Sequence, residues 1–135
     1  MALTTGIRGG GKAPRLDGVF RAVVATSTSS ALGRIEGQGL TWSRVDGVEV
    51  TSDLATFAAT VNVTAKGHYL EDGNVWSGAT NASELRTANC TDWADTSVGN
   101  ATIGEPTRST SKAFFTGQIL RSCGLSSYLT CAEVQ

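Results

Sequence analysis

Cys90, Cys123, Cys131 and His68 carry the most reactive side chains in this chain, and together they bound its chemistry. A cysteine nucleophile works as its thiolate, usually beside an imidazole. His68 is the one histidine, and nothing in the sequence sets it next to a cysteine. A Ser-His-Asp relay would draw on the same imidazole. One histidine does not build a three- or four-ligand zinc site, so His68 reads as a solvated loop residue. Glu71, Asp72, Asp92, Asp95 and Glu105 offer hard oxygens of the kind calcium takes. Two of these acids could serve a glycosidase, yet such acids occur in every domain. The expectation is no catalytic residue, no metal and no cofactor.

Trp76, Cys90 and Trp93 crowd into one stretch, NVWSGATNASELRTANCTDW. In ANCTDWAD a single helical turn would set Cys90 and Trp93 side by side at i and i+3. Two indoles so placed can fill the space beneath long loops, or form an aromatic platform for a sugar ring. Core packing is the expectation for both, and for Trp42 at a hairpin.

The elements that must position these residues are short. VFRAVVAT reads as a buried strand that places Phe20 in the core. STSSALGRIEG has hydroxyls to cap a short helix and glycines to end it. LTWSRVDGVEV is a hairpin candidate, with Asp46-Gly47 suited to a type I′ turn. SDLATFAA reads as one or two helical turns, with Leu54, Phe57 and Ala58 on one face. VNVTA and VWSGA read as strands, GHYLEDGN as a loop, and residues 94–112 mostly as loop. SYLTCAEV reads as a closing strand, with Tyr128, Thr130 and Ala132 on one side and Leu129, Cys131 and Glu133 on the other. Short strands, one or two short helices and long loops make an α+β fold.

A chain of 135 residues, 40% of them hydrophobic, suits one domain with a real core. Net charge is −1 and no two basic residues are adjacent. Nucleic acid is therefore not an expected partner, because phosphate binding needs clustered positive charge. No apolar run reaches the roughly 18 residues of a spanning helix, so membrane insertion is not expected. Residues 1–15 are Gly-rich and read as a flexible lead-in. They contain no apolar h-region, so no signal peptide is visible. Their GGGK has neither a preceding strand nor a following Ser or Thr, so it is no phosphate loop.

LDGVFRAVVATSTSSALGRI, WSRVDGVEV, NVWSG, NCTDW and CGLSSYLTCAEV stand in the order found in the endostatin-like domain, and residues 16–135 resemble that family. The domain closes certain collagens and has bacterial relatives, including leptospiral surface lipoproteins. The resemblance implies a compact C-type-lectin-like fold, an extracellular or cell-surface location and no catalytic activity. It implies that Cys90 bonds Cys123. It also implies a partner for Cys131 upstream of the first strand. This chain has no cysteine there and lacks the family's N-terminal helix, so Cys131 is expected as a free thiol. Three reduced, buried cysteines are the alternative. A dimer through Cys131, or through a core face left uncovered near Phe20, is the corresponding partner expectation. Glu105-Pro106-Thr107 is similar to the Glu-Pro-Asn of sugar-binding C-type lectins but lacks the asparagine that binds both metal and sugar.

The functional expectation is a non-catalytic extracellular binding or adhesion module for a protein or glycan. The alternative is a structural domain of a larger exported protein with no ligand of its own. The N-x-S/T sequons at Asn62, Asn81, Asn89 and Asn100 are weak signals, because a chain rich in Ser and Thr produces several by chance.

Overall fold

The computed structural model describes residues 4–9, 19–35, 42–51, 60–108 and 119–134. The elements in chain order are β1 (Thr4–Gly9), β2 (Val19–Ala22), α1 (Ala31–Ile35), β3 (Trp42–Arg44), β4 (Glu49–Thr51), β5 (Val75–Trp76), α2 (Cys90–Trp93), β6 (Asn100–Gly104), β7 (Leu120–Ser122) and β8 (Leu129–Val134). Short helices and mostly antiparallel strands make this an α+β arrangement.

Two sheets form. The larger has the order β2-β8-β1-β3-β4, and the smaller has β5-β6-β7. β8 is antiparallel to β2 and parallel to β1. The sheets are joined where the chain enters β8. Trp76 N donates to Tyr128 O at 2.9 Å, and Tyr128 N donates to Asn74 O at 2.8 Å.

The main core gathers Val23, Ile35, Trp42, Val50, Val61 and Ala132, with Trp42 1% exposed. α1 is too short to be stable alone. Ser30 caps it, with Oγ accepting from Gly33 N at 3.1 Å, and its buried Ala31 and Ile35 hold it on the sheet. Along β8, Thr130 and Ala132 are fully buried. Leu129, Cys131 and Glu133, on the opposite face, are half-buried. The alternation expected from SYLTCAEV is therefore present.

Several expectations need correction. The supposed flexible lead-in contains β1, the central strand of the larger sheet. Its backbone pairs with β8 on one side and β3 on the other, and ladder hydrogen bonds of this kind need no particular side chain. Its glycines concealed the strand. Phe20 is half-buried and outside the core cluster, because β2 is an edge strand with an alternating exposed and half-buried pattern. The buried part of VFRAVVAT is Val23, Val24 and Ala25, just past the strand. Within residues 94–112, β6 is the middle strand of the smaller sheet, and its Ala101, Thr102, Ile103 and Gly104 are buried. VNVTA contributes isolated bridging, including Val63 to Tyr69, in place of a strand. The helix expected at 52–59 lies outside the described residues, as does most of KAFFTGQIL.

The hairpin forms between β3 and β4, with a different turn. Of Asp46 and Gly47, only the glycine has positive φ, at 88°. Gly47 N donates to Arg44 O at 2.9 Å, and Arg44 N donates to Val48 O at 2.8 Å. This is a turn centred on Val45-Asp46, followed by a left-handed glycine. The Arg44 side chain braces the turn. Its guanidinium donates to both Asp46 oxygens, at 2.9 and 2.6 Å, and to Thr60 Oγ1 at 3.1 Å. Tyr69 Oη adds a 2.9 Å bond to Asp46. The Arg44 bond, helped by Tyr69 and Val48 N, holds the Asp46 carboxyl below its usual range.

The position of β1 is testable with one substitution. Ile7 pairs with Arg44 on one side and Ala132 on the other. Ile7→Pro removes a donor from the middle of the sheet. It is expected to lower stability by on the order of 1–3 kcal/mol, read from urea unfolding. An unchanged midpoint would show that this segment carries no structure.

Candidate functional site

The turn bearing Cys90 and Trp93 is left-handed. Its four residues, Cys90, Thr91, Asp92 and Trp93, have φ of 55, 55, 53 and 66°. Each L-residue in this region costs about 1–2 kcal/mol, so a run of four needs strong external support. Cys90 is disulfide-bonded to Cys123, with Cα atoms 5.7 Å apart and a sequence separation of 33. Closing a loop of that length is worth about 3–4 kcal/mol, less than the upper estimate for the whole turn.

Polar contacts supply further support. Asn89 Oδ1 accepts from Asp92 N at 3.0 Å, while Asn89 Nδ2 donates to Asp92 Oδ1 at 2.7 Å. Asp92 also accepts from Ser27 N at 2.7 Å and from the Ser27 hydroxyl. These bonds, Ser27's first and Asn89's next, hold the Asp92 carboxyl below its ordinary value of 3.8. Trp93 Nε1 donates to Ala25 O at 3.0 Å. Gly78, at φ +77°, lies against the indole, and a Cβ there would come within 2.7 Å of Trp93 Cζ2 and 2.9 Å of Ala25 O.

A second cluster builds on this turn. Cys90, Ala101 and Cys123 are buried, with Trp76 and Trp93 packed against them and half-exposed. The indoles meet edge to face, with centroids 6.0 Å apart and planes at 61°. Both border a cleft of about 310 Å³ floored by the disulfide. Its polar wall includes Asp95, Thr96, Ser126 and Ser127, and Leu125 adds an exposed apolar rim. Asp95 Oδ1 accepts from Ser97 N, Ser97 Oγ and Val98 N, at 2.8, 3.2 and 3.0 Å. The backbone bonds from Ser97 and Val98 hold its carboxyl below the usual range. Arg121 Nη2 donates to Ser126 O at 3.0 Å and fixes the opposite wall. Ser127 Oγ is buried without a hydrogen-bond partner among the described residues.

The structure thus brings Cys90, Cys123, Trp76 and Trp93 together. The two tryptophans, expected as core, serve both as packing and as cleft wall. Phe20 and Cys131 lie elsewhere, on β2 and β8. Ala22 is the cross-strand partner of Cys131, whose thiol is unbonded and shifted upward by burial. His68 is exposed and contributes backbone bonds to the Thr64 turn. Glu105 is paired with Arg108 at 2.8 Å. No three of the described His, Cys, Asp and Glu residues converge as a metal site. No helix among the described residues is long and apolar enough to cross a membrane. Asn89 is 3% exposed with its amide committed, which sets it apart from the exposed Asn81 and Asn100. Sequence reasoning missed Asp95 as a cleft residue, along with Ser126 and Ser127. The turn and the disulfide unite these distant segments, and no local spacing announces it. Comparison with family models, curated proteins and solved structures finds no match.

Two measurements check this site. Thiol titration of the denatured, air-oxidised protein should give one thiol per chain, Cys131. Three would mean that the Cys90–Cys123 bond does not form. The second concerns pH. Asp92 has a depressed pKa, so its contribution is present above the unfolded carboxylate pKa and is lost as pH falls through the folded value. Wild type should therefore exceed Asp92→Asn in thermal stability near neutral pH, with the gap closing below about pH 4. A gap that does not vary with pH would remove the carboxylate from the account.

Proposed function

We propose that this chain is a non-catalytic, extracellular binding module of the endostatin-like kind, recognising a protein or glycan ligand through the cleft beside its disulfide. The observation that carries the reading is the pair of half-exposed tryptophans at that cleft. An indole left partly open beside convergent polar groups is a typical ligand-contact arrangement. Proton transfer between an acid and a base needs two suitably placed titratable groups. The described cleft wall supplies the Asp95 carboxylate alone, which favours binding over chemistry. The disulfide suits an oxidising location. The endostatin-like assignment rests on the order of the sequence motifs, and the Cys90–Cys123 bond fits it.

Surface plasmon resonance against a panel of immobilised matrix glycoproteins and glycans tests the proposal. At least one saturable interaction is expected, weakened by Trp76→Phe or Trp93→Phe in variants that retain the wild-type melting profile. Binding that both variants leave unchanged would move the ligand site away from the cleft. No binding to any surface would favour a structural domain.

A further inference from the structure

We infer that the cleft takes a neutral pyranose ring, an inference that rests on the binding-module reading above. A pyranose has C–H faces that pack on indole and a rim of hydroxyls that both donate and accept. The cleft matches both halves of that chemistry. Trp76 and Trp93 meet edge to face at 61°, so the contact covers one face of one indole and does not stack the two rings. The facing wall is built from small hydroxyl side chains and one carboxylate.

One carboxylate oxygen there has no hydrogen bond among the described residues. Ser127 also lines the cleft, but its Oγ is closed off from solvent and is no ligand contact. Asp95 engages Oδ1 in three local bonds, and Oδ2, which has none among the described residues, is left for a ligand hydroxyl. A charge-assisted bond of this type is the stronger kind.

Volume and charge narrow the class. About 310 Å³ lies at the low end for a ligand pocket, so a single ring fits better than a folded peptide segment. A more open depression of about 410 Å³ shares Asp95 and Thr96 with the cleft, giving a longer glycan room to continue past Thr91. Asp95 is the cleft's charged residue and its depressed pKa keeps it ionised at neutral pH. Sulfated and uronic sugars would place like charges together, which disfavours them.

The test is tryptophan fluorescence of the intact, oxidised chain with EDTA present. It is titrated with neutral methyl pyranosides and N-acetylglucosamine, and in parallel with glucose sulfate and glucuronate. Trp42 is buried in the other core, so a ligand-dependent change reports on Trp76 and Trp93. A saturable change with at least one neutral sugar is expected, with no response to the anionic pair. Asp95→Asn should weaken that binding, whereas it would strengthen binding of an anion. Ser127→Ala should leave it unchanged, because that hydroxyl is closed off from the cleft. The same variant should melt no lower than wild type, because it removes an unmet hydroxyl. The contrast between neutral and anionic sugars on the wild-type chain stands even if Asp95→Asn unfolds.

Preference for the anionic sugars, or tighter sugar binding by Asp95→Asn, would overturn the inference. So would a glycoprotein interaction that persists unchanged after enzymatic removal of its glycans, with no free sugar bound; the binding-module reading would then survive. If neither sugars nor glycoproteins bind, both readings fall.

Discussion

A single left-handed turn, four residues long, is the constraint on which the smaller cluster and its cleft depend. Cys90 through Trp93 hold a backbone that L-residues avoid. The disulfide ties the start of the turn to the segment after β7, and Asp92 ties its middle to Ser27. Trp93 ties its end to Ala25. Three distant parts of the chain are thus brought to one place. The opposite hand would redirect the Trp93 side chain, and the indole would no longer lie against Gly78 and Trp76.

The two clusters of the domain are stabilised differently. The main core relies on apolar burial around Trp42, Val50 and Ile35, closed by the larger sheet. The smaller cluster has few apolar side chains and compensates with a covalent bond and a dense set of hydrogen bonds. Small domains with little regular structure commonly use this second strategy. It also leaves the tryptophans partly open to solvent. A fully apolar core would have buried them as it buries Trp42.

Much of the larger sheet could be read from residue patterns. Alternation in SYLTCAEV placed Thr130 and Ala132 on the buried face of β8, and WSRVDGVEV announced the β3–β4 hairpin. The resemblance, rather than any spacing rule, pointed to the Cys90–Cys123 bond. Other features were hidden for physical reasons. Gly6 and Gly9 made β1 look like a linker, although backbone pairing tolerates glycine between two partner strands. Ala101 and Gly104 are too small to signal a strand, yet they are buried in β6. The i, i+3 spacing of Cys90 and Trp93 places them on one turn of either hand, so sequence alone could not reveal the left-handed one. The cleft wall was invisible because Ser126, Ser127 and Asp95 meet only through that turn.

The strand order carries a consequence for how the chain reaches this state. β8 lies between β2 and β1, so the two earliest described strands share no ladder with each other; β1 can pair early with β3, but its other edge and β2 wait for a strand that leaves the ribosome more than a hundred residues later. Until then each has an open edge, and the loop to be closed spans most of the chain. Contacts so distant in sequence make folding slow, and unpaired edges invite association while they last. The larger sheet is completed only after synthesis has passed residue 134, whereas β5, β6 and β7 of the smaller sheet have all emerged before β8.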